Sequence, residues 1–505
     1  MLNRKIKLSY FSIIVSCITL LLFNYPFFKY VFNNCEVGSL NGIFLVVSLI
    51  ILAIILNALV FYILLFLLRK VGKTLLIILL LFNSVALYFV NTYSVILDRN
   101  MMGNVYNTNF EESSSFFSIG FIMYLLFLGI VPSVFVYKTE VIYVNFKKFI
   151  TRVVVTLLLV LGLVYANATN WLWIDKNSTK LGALTMPWSY VVNSFRYFHK
   201  INKENQKQIL LPNATIKNDE KSVVVLVIGE SARSQNFSLY GYQKDTNPLL
   251  SKIPNVKHYN AESCATYTTA GVKCILEHQY TDELYEILPN YLYRNNVEVI
   301  WRTSNWGEPT VTIEKFITKG ELQKDCKIEN CDYDEILLSG LKEQILTSKK
   351  NKILVVLHTS TSHGPTYYKK HPVEFSKFLP ECENVELANC SQEELINAYD
   401  NTIVYTDYIL AKLIGQLEEL KEFKSSMIFI SDHGESLGEK NLYMHGLPKS
   451  MAPNVQFEIP FIVWASNNQK LTDKTTLDQH YVFHSVLDFL AIDSPVYDKN
   501  MTLFE

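Results

Sequence analysis

The chain has 505 residues, of which 50% are hydrophobic and 18% are charged. Its 46 basic side chains are balanced by 47 acidic ones, so it lacks the excess positive charge that nucleic-acid-binding proteins use against phosphates. Residues 1–174 contain only 12 of the basic and 5 of the acidic side chains. The composition therefore excludes a single soluble domain and predicts a membrane part followed by a soluble part.

Five apolar runs in the first third of the chain are each long enough to cross a bilayer as a helix of about 20 residues. They occupy residues 10–28, 43–68, 74–95, 116–137 and 153–173. A cleaved signal peptide is disfavoured for the first run, because bulky aromatic residues stand where a small-residue cleavage site is expected. The sequence predicts five membrane-spanning helices.

Lysine and arginine are concentrated at the N-terminus and in the second and fourth connections between these runs, whereas the first and third connections contain only Lys29 and Arg99. By the positive-inside rule the N-terminus is cytoplasmic, and five crossings place everything after about residue 174 outside. We therefore divide the chain into a membrane domain (1–174), an amphipathic connecting segment (175–219) and an extracytoplasmic domain (220–505).

Six of the eight cysteines lie in the extracytoplasmic part as three close pairs, which are Cys264/Cys274, Cys326/Cys331 and Cys382/Cys390. An even set of close pairs outside the cytoplasm is typical of disulfides, although six cysteines allow other connectivities. None of the pairs has the C-x-x-C spacing of a zinc knuckle. The sequence predicts three local disulfides, in agreement with the orientation.

From Ser222 onwards, short β-branched runs alternate with longer segments of helical periodicity such as 392–420. The runs are 223–228, 297–301, 353–357, 427–430 and 460–464. This alternation predicts a parallel sheet covered by helices on both faces. Ligands of such sheets bind outside the carboxyl ends of the strands.

Carboxylates and imidazoles follow three of the predicted strands. They are Glu230 after the first, His358 and His363 after the third, and Asp432 and His433 after the fourth. Oxygen and imidazole donors suit Zn²⁺ or Mn²⁺, and such a site can activate an oxygen nucleophile for phosphoryl chemistry. Ser231 and the threonine-rich stretch 264–269 are both candidates for that nucleophile, and spacing does not choose between them.

Five segments, in this order, resemble the bacterial phosphoethanolamine transferases that modify lipid A, the group that includes the colistin-resistance enzymes. They are ESARSQNFSLYGYQKDTNP (230–248), CATYTTAGVKC (264–274), SHGPTYY (362–368), CSQEELINAYDNTIVY (390–405) and SDHGESLGEKNLYMHGLPKSMAP (431–453). The resemblance covers the whole chain. It implies a five-helix domain in the bacterial inner membrane followed by a periplasmic α/β domain of alkaline-phosphatase/sulfatase-like fold.

Matched position by position, the resemblance places the nucleophile on Thr268 and the ligands of one tightly bound zinc ion on Glu230, Thr268, Asp432 and His433. Ser231 then becomes a neighbour of a ligand rather than the nucleophile.

The same matching gives His363 and His445 a catalytic role, and with Glu435 they meet the phosphoethanolamine group. A second zinc ion held by the two histidines is the alternative. A surface-loop histidine is the alternative for His445 alone.

The third connection also resembles the family's donor-lipid segment. Asn104, Thr108 and Glu112 lie at i, i+4 and i+8, so a helix there would align them on one face. A solvated interfacial helix is the equal alternative.

Two segments depart from the family pattern. The chain has CATYT at 264–268 where the family often has C-G-T-x-T, a change that leaves the metal site intact. It has RTSNWGEP at 302–309 where many lipid A enzymes have an Asp-Asn-Asn run with a nearby lysine. The second departure bears on the acceptor more than on the chemistry.

The resemblance implies a monomeric, zinc-dependent enzyme that transfers phosphoethanolamine from phosphatidylethanolamine to a lipid A phosphate through a covalent phosphoethanolamine-threonine. That product lowers the negative charge of the outer membrane and gives polymyxin resistance. Core sugars of lipooligosaccharide or a periplasmic protein are alternative acceptors. A sulfatase-like hydrolase, a phosphoglycerol transferase and a non-catalytic receptor are the other classes, and the chain lacks the C/S-x-P-x-R motif of sulfatases.

Overall fold

The computed structural model describes residues 5–108, 110–204, 208–281, 283–467 and 469–505. The chain divides into two compact units, residues 1–200 and 201–505. The first unit therefore extends beyond residue 174, which is the predicted end of the membrane domain. The helices Trp171–Leu184 and Trp188–Glu204 follow that point.

Three helices in the described residues are long and apolar enough to cross a membrane: Leu40–Tyr93, Ile119–Lys138 and Phe146–Ala166. Leu8–Phe23 and Tyr25–Asn34, bent by 66°, form a fourth candidate span. The helix Leu40–Tyr93 has 54 residues and is broken at Arg69, where φ is 48°. A continuous helix of that length would be more than twice as long as the roughly 30 Å hydrocarbon core, so its two halves correspond to the second and third predicted runs.

The last span begins earlier than predicted, at Phe146 rather than at residue 153. The side chain of Asn145 accepts a hydrogen bond from the backbone N–H of Lys148 at 3.0 Å and so caps the helix N-terminus. The helix then ends at Ala166. A hydropathy window misses this start because the first turn contains two lysines.

The basic segments of the first unit meet at one end. The strand Lys5–Lys7 pairs in parallel with Glu140–Ile142. Nζ of Lys73 donates to the backbone carbonyls of Tyr137 at 2.9 Å and Thr139 at 2.8 Å. The N-terminus and the second and fourth connections therefore lie on the same side, which is the arrangement that the distribution of basic residues predicts.

The predicted single helix through Asn104, Thr108 and Glu112 is wrong. The helix Arg99–Asn107 ends before Thr108, whose ψ of 127° leaves the helical conformation and whose hydroxyl donates to the carbonyl of Asn104 at 2.8 Å. A separate helix, Phe110–Ser115, follows. The side chain of Glu112 lies outside the described residues.

The second unit is built on an eight-stranded sheet. Numbered in chain order, its strands are β1 Ser222–Gly229, β2 Val256–Glu262, β3 Glu298–Thr303, β4 Lys315–Thr318, β5 Lys352–His358, β6 Lys424–Ser431, β7 Glu458–Ala465 and β8 Thr476–Asp478. Their order across the sheet is β8-β2-β7-β6-β1-β5-β3-β4. The central strands β6, β1, β5 and β3 are parallel to their neighbours in this group.

The sheet is mixed rather than wholly parallel. Strand β7 runs antiparallel to both β6 and β2, which corrects the prediction for residues 460–464. Strands β2, β4 and β8 were not predicted. All three lie toward the edges of the sheet, where polar residues alternate with apolar ones and no continuous apolar run forms.

Helices cover both faces of the sheet. Every residue of β1 is buried, and alternate side chains enter two separate cores. Val223, Val225 and Val227 pack in the core that contains the long helix Gln392–Glu418. The opposite core contains the helices Thr268–Leu276, Leu288–Arg294 and Tyr481–Phe489. Two shorter helices are Lys319–Lys324 and Leu341–Leu346.

Three disulfides join Cys264 to Cys274, Cys326 to Cys331 and Cys382 to Cys390. These are the pairs predicted from their spacing. Each closes a short loop in the second unit, and the first encloses the start of the helix Thr268–Leu276.

Candidate active site

Two adjacent parallel strands bring the first acidic side chains together. Gly229 at the end of β1 is in register with Ser431 at the end of β6. Glu230 and Asp432 follow directly, and the backbone N–H of Asp432 donates to the carbonyl of Gly229 at 2.9 Å. The register of two buried strands thus fixes both carboxylates at the carboxyl edge of the sheet, where the sequence predicts them.

Thr268 is the first residue of the helix Thr268–Leu276, and Tyr267 is its N-cap. Unpaired backbone N–H groups and the helix dipole make such an N-terminus favourable for an anion. The hydroxyl of Thr268 therefore lies where a phosphate group would be stabilised.

One amide side chain links the segment of Thr268 to the turn after β6. Nε2 of Gln479 donates to the carbonyls of Ser431 at 3.2 Å and Asp432 at 2.9 Å. Its Oε1 accepts from the backbone N–H of Cys264 at 3.0 Å. Sequence reasoning missed Gln479, because nothing in a lone glutamine after an edge strand signals this bridge.

The four predicted ligands converge. Oγ1 of Thr268 lies 3.4 Å from Oε2 of Glu230 and 3.3 Å from Nε2 of His433. The same Nε2 lies 3.4 Å from Oε1 of Glu230 and 3.3 Å from Oδ2 of Asp432. Each of the four residues is at most 2% exposed.

The cluster fits a divalent cation. Nδ1 of His433 lies 2.9 Å from the carbonyl of Gly434, which assigns the proton to Nδ1 and leaves Nε2 facing the carboxylates. Oδ2 of Asp432 is buried and has no hydrogen-bond partner in the described residues. Among those residues, Glu230, His433 and His445 also present ligand atoms that all lie within 4.8 Å of one another. Carboxylate and imidazole donors in this arrangement suit zinc.

The charges of the cluster favour a cation in the same place. Burial would raise the pKa of Glu230, but the hydrogen bond to His433 and the nearby histidine charges lower it well below the usual range. Burial and the charge of Glu230 raise the pKa of Asp432 to about 7. Burial lowers the pKa of His433, but the charge of Asp432 and the contact with Glu230 outweigh it and raise the pKa to about 10. Positive charge is thus stabilised between the two carboxylates.

A second group of predicted residues adjoins the first. The rings of His433 and His445 are 4.2 Å apart, and those of His445 and His363 are 5.7 Å apart. Nδ1 of His445 lies 3.3 Å from Oε2 of Glu435. Burial raises the pKa of Glu435 to about 8, so this carboxyl is largely protonated at neutral pH. His445 is therefore a buried neighbour of the candidate metal-binding residues and not a surface-loop histidine.

Ser231 supports the cluster. Its hydroxyl donates to Oε1 of Glu230 at 2.7 Å, and its backbone has a φ of 52°. The carbonyl of Ser231 accepts from the phenol of Tyr399 at 2.7 Å, which holds this left-handed turn in place. Thr268 lies at both the ligand cluster and a helix N-terminus, which favours it over Ser231 as the nucleophile.

The loop 304–309, which follows β3, also reaches the site. In the sequence it stands out only as part of a segment that departs from the family pattern. Nδ2 of Asn305 donates to Oε2 of Glu230 at 2.6 Å and to the carbonyl of Thr359 at 2.8 Å. Gly307 has a φ of 96°, and a Cβ added to it would lie 3.2 Å from Cγ2 of Thr268. The loop therefore forms one wall around Thr268.

A buried carboxylate ties this loop to the segment after β5. Asp334 accepts hydrogen bonds from the hydroxyl of Ser304 at 2.5 Å and from the backbone N–H of Ser360 at 2.7 Å, and it also accepts from the hydroxyl of Thr361. The second segment leads to His363. Sequence reasoning missed Asp334 because it lies near the disulfide Cys326–Cys331 and outside every strand end.

Known proteins share this architecture. A family model described as phosphoethanolamine transferase EptA/EptB matches residues 43–201, and a sulfatase family model matches residues 222–492. The phosphoethanolamine transferase EptA of Helicobacter pylori is 38% identical over 98% of this chain and 96% of its own length. This chain belongs to the phosphoethanolamine transferase family. The resemblance drawn from the motifs is thereby confirmed.

Other members of the phosphoethanolamine transferase family extend the likeness. The phosphatidylethanolamine transferase Mcr-1 of Escherichia coli is 31% identical over 81% of each chain. The structure of the integral membrane lipooligosaccharide phosphoethanolamine transferase A of Neisseria meningitidis covers 99% of both chains with a TM-score of 0.88 and 25% identity. The predicted fold class, a helical membrane region followed by an alkaline-phosphatase/sulfatase-like domain, is confirmed, and phosphoethanolamine transfer is the activity of the family.

Proposed function

We propose that this transferase moves phosphoethanolamine from phosphatidylethanolamine to a phosphate of lipid A, with its catalytic domain in the periplasm and its helices in the inner membrane. Three disulfides in the second unit and basic segments at one end of the first support this location. Relatives are named as lipooligosaccharide and Kdo(2)-lipid A phosphoethanolamine transferases, which supports the acceptor. The observation that supports the proposed chemistry most directly is a buried threonine hydroxyl at a helix N-terminus, within 3.4 Å of both Glu230 and His433.

Glu230, Thr268, Asp432 and His433 would hold one zinc ion. When bound there, zinc supplies Lewis acidity that lowers the pKa of the Thr268 hydroxyl. The buried and unpartnered Oδ2 of Asp432 supports this assignment. A second zinc ion at His363 and His445 is the alternative to a direct role of these imidazoles on phosphate oxygens.

In the first half of the reaction, Oγ1 of Thr268 forms a bond to the phosphorus and the bond from phosphorus to the diacylglycerol oxygen breaks. The hydroxyl donates a hydrogen bond to Oε2 of Glu230 at 3.4 Å, which orients Oγ1, and its proton is released to the solvent. The departing diacylglycerol oxygen takes a proton from the pair His363 and His445. Backbone N–H groups at the helix N-terminus stabilise the charge on the phosphate oxygens.

In the second half, an oxygen of the acceptor phosphate attacks the same phosphorus, and the threonine oxygen leaves and regains a proton. Because diacylglycerol leaves before the acceptor binds, the same site accommodates the two lipids one after the other. We expect ping-pong kinetics.

The covalent adduct tests the proposal directly. The full-length enzyme would be incubated with phosphatidylethanolamine in nanodiscs and its peptides analysed by mass spectrometry. We expect the mass of one phosphoethanolamine on Thr268, none in Thr268→Ala, and an undiminished adduct in the control Thr269→Ala. An adduct on another residue, or full transfer by Thr268→Ala, would refute the mechanism.

The acceptor needs a separate experiment. Lipid A, core oligosaccharide and periplasmic proteins from cells with and without the gene would be compared by mass spectrometry. We expect the added phosphoethanolamine on a lipid A phosphate. An addition confined to core sugars or to a protein would exclude lipid A as the acceptor and would leave the threonine chemistry unchanged.

A further inference from the structure

The loop 304–309 holds an acidic side chain beside the nucleophile. Asn305 fixes one end of the loop to Glu230, and a Cβ added to Gly307 would lie 3.2 Å from the methyl carbon of Thr268. The next residue is Glu308. Glu308 therefore directly follows the residue that lies beside Thr268.

The carboxylate of Glu308 is mostly buried and lacks a full set of partners. Its side chain is 17% exposed, and Oε2 has no hydrogen-bond partner in the described residues. Nδ1 of His358 lies 3.5 Å from this Oε2. His358 is fully buried, and neither of its ring nitrogens has a hydrogen-bond partner in that part of the chain. Buried polar atoms in native proteins are almost always paired, so these three unpaired atoms have the chemistry of a ligand site.

The ligand that fits is a cation with N–H donors. Arg302 is the one basic residue of the segment 302–309, and its guanidinium donates to the carbonyls of Leu337 and Ser339 instead. The family lysine expected near this position is absent from 302–309. The loop therefore presents negative charge next to a phosphate-binding nucleophile.

The group transferred in the proposed function has two charged ends, a phosphate and a primary ammonium separated by two carbon atoms. With the phosphate at Thr268, the ammonium falls in the surroundings of the adjoining loop. We infer that Glu308, backed by His358, binds the ammonium group of phosphoethanolamine and so selects donors with a cationic head group. This inference rests on the proposed function and deepens it.

The charge of the head group is the variable to test. Phosphatidylpropanol replaces the ammonium of phosphatidylethanolamine by a methyl group of similar size. The rate of adduct formation on Thr268 would be measured with each lipid in detergent micelles, using the full-length enzyme, Glu308→Gln, and the control Glu314→Gln. Glu314 is exposed and lies in the same connection between β3 and β4.

We expect Glu308→Gln to reduce kcat/KM for phosphatidylethanolamine by about 10- to 100-fold, the value of a hydrogen bond between charged groups. Its kcat/KM for phosphatidylpropanol should change less than about threefold, so the preference between the two lipids collapses. Glu314→Gln should keep the preference of the wild type. Glu308→Asp retains the charge and should retain part of the preference.

An equal loss with both lipids would overturn the inference, because it would mean that Glu308 acts only by positioning His358 or the loop. An unchanged preference in Glu308→Gln would overturn it as well. If the wild type forms no adduct from phosphatidylethanolamine, the proposed function fails and this inference fails with it.

A measurement on the wild type alone avoids any dependence on how the variants fold. Free phosphoethanolamine and propyl phosphate share the phosphate and differ in the ammonium. We expect phosphoethanolamine to inhibit adduct formation at about 10-fold or more lower concentration. Equal inhibition by the two compounds would refute an ammonium site.

Discussion

The two sides of Thr268 are built in different ways. On one side, Glu230 and Asp432 follow two buried parallel strands in fixed register, so their positions are set by the central sheet. On the other side, the loop 304–309 is held by polar contacts of Asn305 and by Asp334. In the mechanism proposed above, the chemical step depends on side chains at strand ends, whereas recognition of the lipid head group depends on a loop, and loops vary more readily than the strands of a sheet.

Asp432→Asn should give the largest effect, because it removes one charge from the strand side of the site. We expect the variant to lose most of its bound zinc and at least about 100-fold of its transfer activity. Metal content would be measured by mass spectrometry of the purified full-length protein, beside phosphoethanolamine transfer. Asp473→Asn, at an exposed ion pair with Lys257, is the control and should keep both. Full zinc content in Asp432→Asn would contradict the ligand assignment.

Gly307→Ala tests the loop side alone. The added Cβ would lie 3.2 Å from Cγ2 of Thr268, and the φ of 96° is unfavourable for alanine. We expect activity to fall by about 10- to 100-fold, because small displacements at a reacting group are costly, while zinc content stays at the wild-type value. Gly320→Ala, where an added Cβ would meet nothing within 4 Å, should leave both unchanged. Loss of zinc in Gly307→Ala would show that the two sides are not separable.

Asp334→Asn should have a smaller effect on the same side. Oδ2 of Asp334 accepts hydrogen bonds from the backbone N–H of Ser360 and the hydroxyl of Thr361. The amide nitrogen of asparagine cannot accept a hydrogen bond, so a donor at Ser360 or Thr361 is left unpaired in the variant. We expect destabilisation by about 1–3 kcal/mol and a loss of activity of about tenfold with zinc retained. Thermal unfolding and transfer assays check this. Asp332→Asn, two residues away and exposed, is the matched control. Wild-type stability in Asp334→Asn would contradict the role of Asp334 in joining the loop 304–309 to the segment after β5.

Asp407 lies outside both sides of the site and provides a test of how the stability of the protein depends on pH. It accepts from the backbone N–H groups of Leu249 and Leu250, yet burial raises its pKa from 3.8 to about 6. Between these two pH values the carboxyl group of Asp407 is ionised in the unfolded chain and protonated in the folded protein. Its contribution to the free energy of unfolding therefore falls as the pH rises from about 4 to about 6 and is constant above that. The contribution is about 2–3 kcal/mol at most.

The variant Asp407→Asn should lack this part of the pH dependence and should transfer phosphoethanolamine at the wild-type rate. The unfolding midpoint of wild type and variant would be compared from pH 4 to pH 8, and the difference between the two curves isolates this carboxyl group. A difference that does not change with pH would show that its pKa is not raised.

The sequence predicts the strand side of the site better than the loop side for a physical reason. Apolar runs and the ionisable residues that follow them are local patterns, so Glu230, Asp432 and His433 are visible before any contact is known. Asn305 and Asp334 act through contacts with segments 25 or more residues away, which no local pattern specifies. Only the departure of 302–309 from the family pattern drew attention to that loop.

The same distinction applies to the fold. The central strands β1 and β5 were predicted because both of their faces are buried and their middle residues form continuous apolar runs. The edge strands β4 and β8 were not, because their sequences alternate or are short. Helix ends were also inaccurate where a side-chain cap sets them, as at Asn145 and Thr108.

The bridge made by Gln479 sets an order of events during biosynthesis. Gln479 is among the last 27 residues of the chain, yet it joins the backbone at Cys264 to the turn at Asp432. The helices of the first unit are synthesised first, and the support for the segment of Thr268 is completed only after residue 479 has been added to the chain. A chain that ends before residue 479 would lack this bridge, so we expect the arrangement of Thr268 and Asp432 to be completed only when the C-terminal segment folds.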